Sequence, residues 1–106
     1  MTRPYAVKAV EVLASGPGVL VRAFVFAPGE ATPWHRHTAV RDLAICVTGA
    51  ITVETRDPPA VRVLDPGDRA ETPAGAAHRL VNAGGVDAQV LLIQDGGAYD
   101  FRVEPA

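Results

Sequence analysis

An all-β fold, a sandwich or barrel of about ten short strands, is predicted by three observations. Gly and Pro punctuate the chain so often that only Trp34–Thr48 runs much beyond eleven residues without one, which leaves helices little room. Short runs rich in Val, Ile and Phe recur between those turn residues. His35 and His37 stand two apart, a spacing that puts two side chains on one face of a strand but not of a helix.

Taken in order, Tyr5–Leu13 is the first expected strand and Gly16-Pro17-Gly18 the turn after it. Val19–Phe26 follows, with Leu20, Arg22, Phe24 and Phe26 on one face and Val19, Val21, Ala23 and Val25 on the other. Pro28-Gly29 leads to Pro33–His37 and Leu43–Val47, and Thr48-Gly49 to Ile51–Arg56. Asp57-Pro58-Pro59, Pro66-Gly67 and Pro73–Gly75 then separate Val61–Leu64, Arg69–Thr72 and His78–Asn82. Gly84-Gly85 and Gly96-Gly97 set off the last two strands, Val86–Gln94 and Tyr99–Val103.

Composition bounds the partners. At 106 residues, 48% hydrophobic and 21% charged, the chain reads as one globular domain over 1–106 with no need of a linker. Ten basic residues against twelve acidic ones give a net charge of −2 without a basic stripe, so nucleic acid is not an expected partner. No run approaches the roughly 18 apolar residues of a membrane span, and Arg3, Pro4 and Lys8 are not followed by the apolar stretch of a signal peptide. The single cysteine, Cys46, has no partner for an internal disulfide and fits a reducing compartment, so a cytoplasmic protein is expected.

All three histidines fall inside two short patterns. The first runs Gly29, five residues, His35, one residue, His37, four residues, Asp42, six residues, Gly49. The second runs Gly67, five residues, Pro73, Ala74, Gly75, two residues, His78, three residues, Asn82. On a strand His35 and His37 can share one ion. Imidazole suits zinc, copper, iron and nickel, and a carboxylate adds an oxygen ligand that manganese also accepts, so one divalent ion of Fe, Mn, Ni, Zn or Cu is expected on His35, His37, Asp42 and His78.

The two patterns resemble the conserved barrel motifs of the cupin superfamily, which they match at every signature position but one: Asp42 stands where the family usually has Glu. Five fixed residues at fixed offsets arise by chance on the order of once in a million starts, so the resemblance is specific. It implies a cupin-type double-stranded β-helix, a jelly-roll barrel with the metal inside near one end, and a homodimer. Asp is one methylene shorter than Glu, a loss of roughly 1.5 Å of reach. Asp42 therefore either sits closer to the ion as a direct ligand or orients a histidine or water beside it.

Alternation sketches a pocket. If Asp42 faces the ion, Ala44, Cys46 and Thr48 share its face, and small residues there leave room for a small-molecule ligand. Cys46 lies about 13 Å further along the strand, too far to ligate, and reads as a buried small hydrophobe or a pocket thiol. Arg22 reads either as a solvated edge residue or, turned inward, as a planar fork for a substrate carboxylate. Trp34 alternates away from the ion, and Tyr99 and Asp100 are candidates for the barrel mouth.

Two functions compete. The first is an enzyme acting on a small oxygen-rich substrate that itself ligates the metal, by dioxygenase-like oxidoreductase chemistry or a lyase or isomerase step. The second is a cupin that binds a sugar or metabolite without turning it over. No fourth histidine is available as a dedicated general base, which favours chemistry in which the substrate occupies the metal.

Overall fold

The computed structural model describes residues 5–105, so residues 1–4 and 106, the ends of the expected domain, lie outside the described residues. Ten strands follow in order: β1 Ala9–Gly16, β2 Val19–Phe26, β3 His35–Arg36, β4 Arg41–Thr48, β5 Ile51–Arg56, β6 Pro59–Leu64, β7 Arg69–Thr72, β8 His78–Val81, β9 Ala88–Asp95 and β10 Arg102–Val103. They form two antiparallel five-stranded sheets, ordered β1-β2-β9-β4-β7 and β10-β3-β8-β5-β6. Apart from the β1–β2 and β5–β6 hairpins, consecutive strands alternate between the sheets, and the two sheets close on a shared core as a double-stranded β-helix.

The core sits between the sheets because period-two alternation sends one face of each strand inward. On β9 Ala88, Val90, Leu92 and Gln94 are buried, and on β4 Asp42, Ala44 and Cys46. Inward rows run across the first sheet: Phe24, Val90 and Cys46 at one level, Arg22, Leu92 and Ala44 at the next, then Leu20, Gln94 and Asp42. Phe24, Phe26, Ile51, Leu64 and Leu80 fill the apolar part. The polar row lies at one end, and that end carries the chemistry.

Several strand limits differ from the sequence reading. The first strand starts at Ala9 rather than Tyr5 and runs through Gly16, because β1 and β2 close a hairpin in which Gly16 pairs with Val19. Pro59, expected in a turn, opens β6, an edge strand whose outer side needs no ladder donor. The last strand shrinks to Arg102–Val103, leaving Tyr99–Phe101 as a loop. Thr48 leaves the face of Asp42 because the register between β4 and β9 slips after Cys46, and it is exposed. Gly49 follows with φ of 73° and lies so close to the Asp87 carbonyl that an added Cβ would clash with it. Only glycine fits there.

Asn82, which closes the second pattern, is a structural pin. Its Nδ2 donates to the Phe26 and Val86 carbonyls at 2.8 Å each, and its Oδ1 accepts from the Gly84 amide at 2.9 Å. It ties the end of β2 to the loop before β9.

Candidate metal centre

The centre is assembled from both sheets. Register pairs His35 on β3 directly with His78 on β8, and His37 follows on the same face. Asp42 comes from β4 of the facing sheet, between Gln94 and Thr72. All four side chains are buried, and one ligand atom from each lies within 4.8 Å of the others.

Backbone carbonyls select the nitrogen that faces inward. The Nδ1–H of His35 donates to the Pro33 carbonyl at 2.8 Å and that of His78 to the Ala76 carbonyl at 3.0 Å, each two residues upstream. That of His37 donates across the fold to the Asp100 carbonyl at 2.7 Å. Each neutral ring thus carries its proton outside and turns a bare Nε2 toward the centre. The Nε2 atoms of His37 and His78 lie 3.3 and 3.0 Å from the same Asp42 Oδ2, while Asp42 Oδ1 is buried without a partner. Imidazole and carboxylate lone pairs meeting at this distance repel unless a cation, a proton or a metal ion, lies among them. Three imidazoles and one carboxylate are a donor set that a divalent transition metal accepts, so these residues fit one.

Protonation follows from the same geometry. Burial, reinforced by the neighbouring His78, pushes His35 down to about 4. Burial also opposes charge on His37, but its bonds to Asp42 and the Asp100 carbonyl win and raise its pKa. Burial alone would raise Asp42, yet the hydrogen bonds and charges of His37 and His78 hold it well below the usual carboxylate range. An anionic Asp42 and a His35 that stays neutral at pH 7 are in the states that metal ligation requires.

The loop before β10 walls the centre. Phe101 stacks on His35 with ring centroids 4.2 Å apart and planes 16° off parallel, and Tyr99 lies 5.4 Å from the His37 ring. Asp100 anchors the loop: its carboxylate accepts from the Thr38 amide and hydroxyl at 2.7 and 2.6 Å and from Arg102 at 3.0 Å, and these bonds hold it down to about 2.

The residues expected to line a pocket separate. Ala44 faces inward one row below Asp42. Cys46 lies two rows below it, in the apolar core, where its Sγ contacts the Thr48 and Gly49 carbonyls at 3.6 Å each. Arg22 is not a solvated edge residue: it shares the inward face of Phe24, and its Nη2 donates to Gln94 Oε1 at 2.9 Å. Trp34 turns outward and stacks on the Arg56 guanidinium at 4.2 Å. Gln94 and Phe101 are additions that the sequence reading missed. Gln94 could have been found as the one polar side chain at an inward step of β9, whereas Phe101 carried no signal.

A family model described as a cupin domain matches residues 22–94, and the chain belongs to the cupin family. No curated protein matches it. Among solved structures it is similar to an uncharacterised double-stranded β-helix protein from Klebsiella pneumoniae, with TM-score 0.82 and 20% identity over 98% of this chain and 90% of that one. It is also similar to oxalate oxidase, with TM-score 0.74 and 22% identity over 81% of this chain. A sugar phosphate isomerase from Silicibacter pomeroyi gives TM-score 0.66 and 23% identity over 74% of this chain. The chain spans only 46% of oxalate oxidase and 50% of the isomerase. At these identities the likeness is one of fold.

Proposed function

We propose that this chain is a mononuclear metal-dependent enzyme acting on a small oxygen-rich organic substrate that ligates the metal. The observation that carries the reading is the convergence of bare Nε2 atoms on a buried carboxylate with one oxygen unpartnered. His35, His37, His78 and Asp42 would hold one divalent ion, which when bound supplies Lewis-acid polarisation of a substrate oxygen or activation of water or O₂. The chain's own groups do the rest. The Pro33, Ala76 and Asp100 carbonyls keep the imidazoles in one tautomer, Gln94 donates to Asp42 at 3.5 Å, and Phe101 and Tyr99 shield the histidines from water.

Oxalate oxidase and a sugar phosphate isomerase share this fold, and both names denote chemistry on small oxygen-rich molecules. That supports dioxygenase-like, lyase or isomerase chemistry here over passive storage. We place the protein in the cytoplasm as a single-domain homodimer. The lone buried thiol, Cys46, supports a reducing compartment. A groove on the outer face of the first sheet, lined by Ala9, Ala23, Val25, Val47 and Leu91, supports the dimer.

The test is elemental analysis of protein purified at neutral pH without added metal or chelator, followed by aerobic and anaerobic turnover screens of small hydroxy and keto acids. Close to one ion per chain and turnover in either screen are expected. Absence of metal refutes the centre, and a full centre with no turnover of any member turns the reading to a binding protein.

A further inference from the structure

We propose that the ligand of this centre is a small carboxylate whose acid group is received by Arg22 while a second oxygen occupies the metal. The inference rests on the metal reading above and deepens it to a substrate class.

Arg22 pairs with Leu92 across β2 and β9, so Gln94 is its diagonal neighbour on the inward face. Its guanidinium lies 5.1 Å from the Phe24 ring centroid and 4.9 Å from that of Tyr99, the ring that also neighbours His37. Rings on two sides hold the fork in place. One arm is committed to Gln94 Oε1, and that bond orients the amide so that its Nε2 faces Asp42 at 3.5 Å. The Nε–H is buried and has no partner.

Charge makes the vacancy informative. Arg36, Arg41, Arg79 and Arg102 each have a carboxylate within ion-pair distance, and among the described residues Arg22 has none. Arg56, Arg62 and Arg69 lack one too, but Arg62 and Arg69 are exposed and water neutralises the need, and Arg56, half-buried on the second sheet, is stacked on the outward-turned Trp34 away from the centre. Arg22 is half-buried on the face that holds the centre. A divalent ion, one carboxylate, neutral imidazoles and an unpaired guanidinium leave this end of the barrel positive, which favours an anion. A guanidinium takes a carboxylate through two parallel N–H bonds, the geometry that best satisfies a planar fork. A cleft of about 150 Å³, room for only a small molecule, is lined by Leu20, Val40 and the turn glycines together with Gln94 and Tyr99, the two residues through which it adjoins Arg22.

The experiment compares glycolate with its neutral isostere glycolamide on cobalt-loaded protein, reading binding from the visible spectrum of the cobalt. Wild-type protein should bind glycolate more tightly. In Arg22→Gln, at matched cobalt content, glycolate affinity should fall roughly ten-fold or more while glycolamide affinity changes little. Arg22→Lys, which keeps the stem and charge but loses the fork, should fall between and carries the test should the glutamine variant not fold. Equal losses for the two probes in the variant that folds, or no wild-type preference for glycolate, overturn the carboxylate assignment. Wild-type protein that takes up no cobalt overturns the metal centre instead, so the two failures are distinct.

Discussion

The two ends of β4 and β9 make a controlled comparison. Both strands turn every second residue inward along their whole length, yet at one end the inward residues are Asp42 and Gln94 and at the other Cys46 and Val90. The Cys46 end is closed: its neighbours are Phe24, Phe26, Ile51 and Leu64, and its thiol finds carbonyls at 3.6 Å. The Asp42 end is open in the chemical sense, with bare imidazole nitrogens, an unpartnered carboxylate oxygen and an unpaired arginine. One end satisfies itself and stabilises the fold. The other holds buried polar groups that no protein partner satisfies, the arrangement on which the proposed metal and carboxylate rest.

The largest effect separates the ends by metal content. His35→Ala, His37→Ala and His78→Ala should each abolish stoichiometric metal, and Asp42→Ala should do the same if the carboxylate is a ligand, as its position against two Nε2 atoms implies. Elemental analysis decides, and a loss for Asp42→Ala confined to about 10–100-fold in affinity would assign it to orienting the histidines. Phe26→Ala, at the closed end, should instead cost about 3–5 kcal/mol of folding stability with metal content unchanged in the folded fraction. Urea unfolding beside metal analysis checks it, and metal loss in folded Phe26→Ala would mean that the ends are coupled.

Next in size is a pH effect confined to the open end of the metal-free protein. The folded pKa of His35, about 4, lies below its ordinary 6.5, so between those values the unfolded chain binds a proton that the folded chain refuses. Its contribution is complete above pH 6.5 and lost as pH falls to about 4, a change of about 3 kcal/mol. His37 acts in the opposite sense: its raised pKa adds stability below 6.5 that is lost as pH rises through the folded value. Unfolding in urea with chelator at pH 7 and pH 4.5, for wild type and His35→Phe, isolates the first effect. A stability difference that does not change with pH would sink it. The smallest effect belongs to Cys46→Ala, about 1 kcal/mol for a lost small group, with metal and ligand binding untouched.

Most of the fold was legible because alternation and turn chemistry are local. Val19–Phe26, Ile51–Arg56 and Arg69–Thr72 have the limits that their residues predict. The errors fell where a partner strand sets the boundary: Gly16 is drawn into β1 by Val19, and the slip after Cys46 turns Thr48 outward. At the site, residue type and spacing named the four groups that the structure brings together.

By itself, then, the sequence determined the all-β class, the family patterns and the inward face of His35, His37, Asp42 and His78, because these follow from side-chain direction along a strand. Only the tertiary structure decided which nitrogen each histidine offers, since the carbonyl that fixes His37 belongs to Asp100, 63 residues away. It also decided that Arg22 turns inward and that Gln94 lies between it and Asp42, because both depend on strands distant in sequence coming into register.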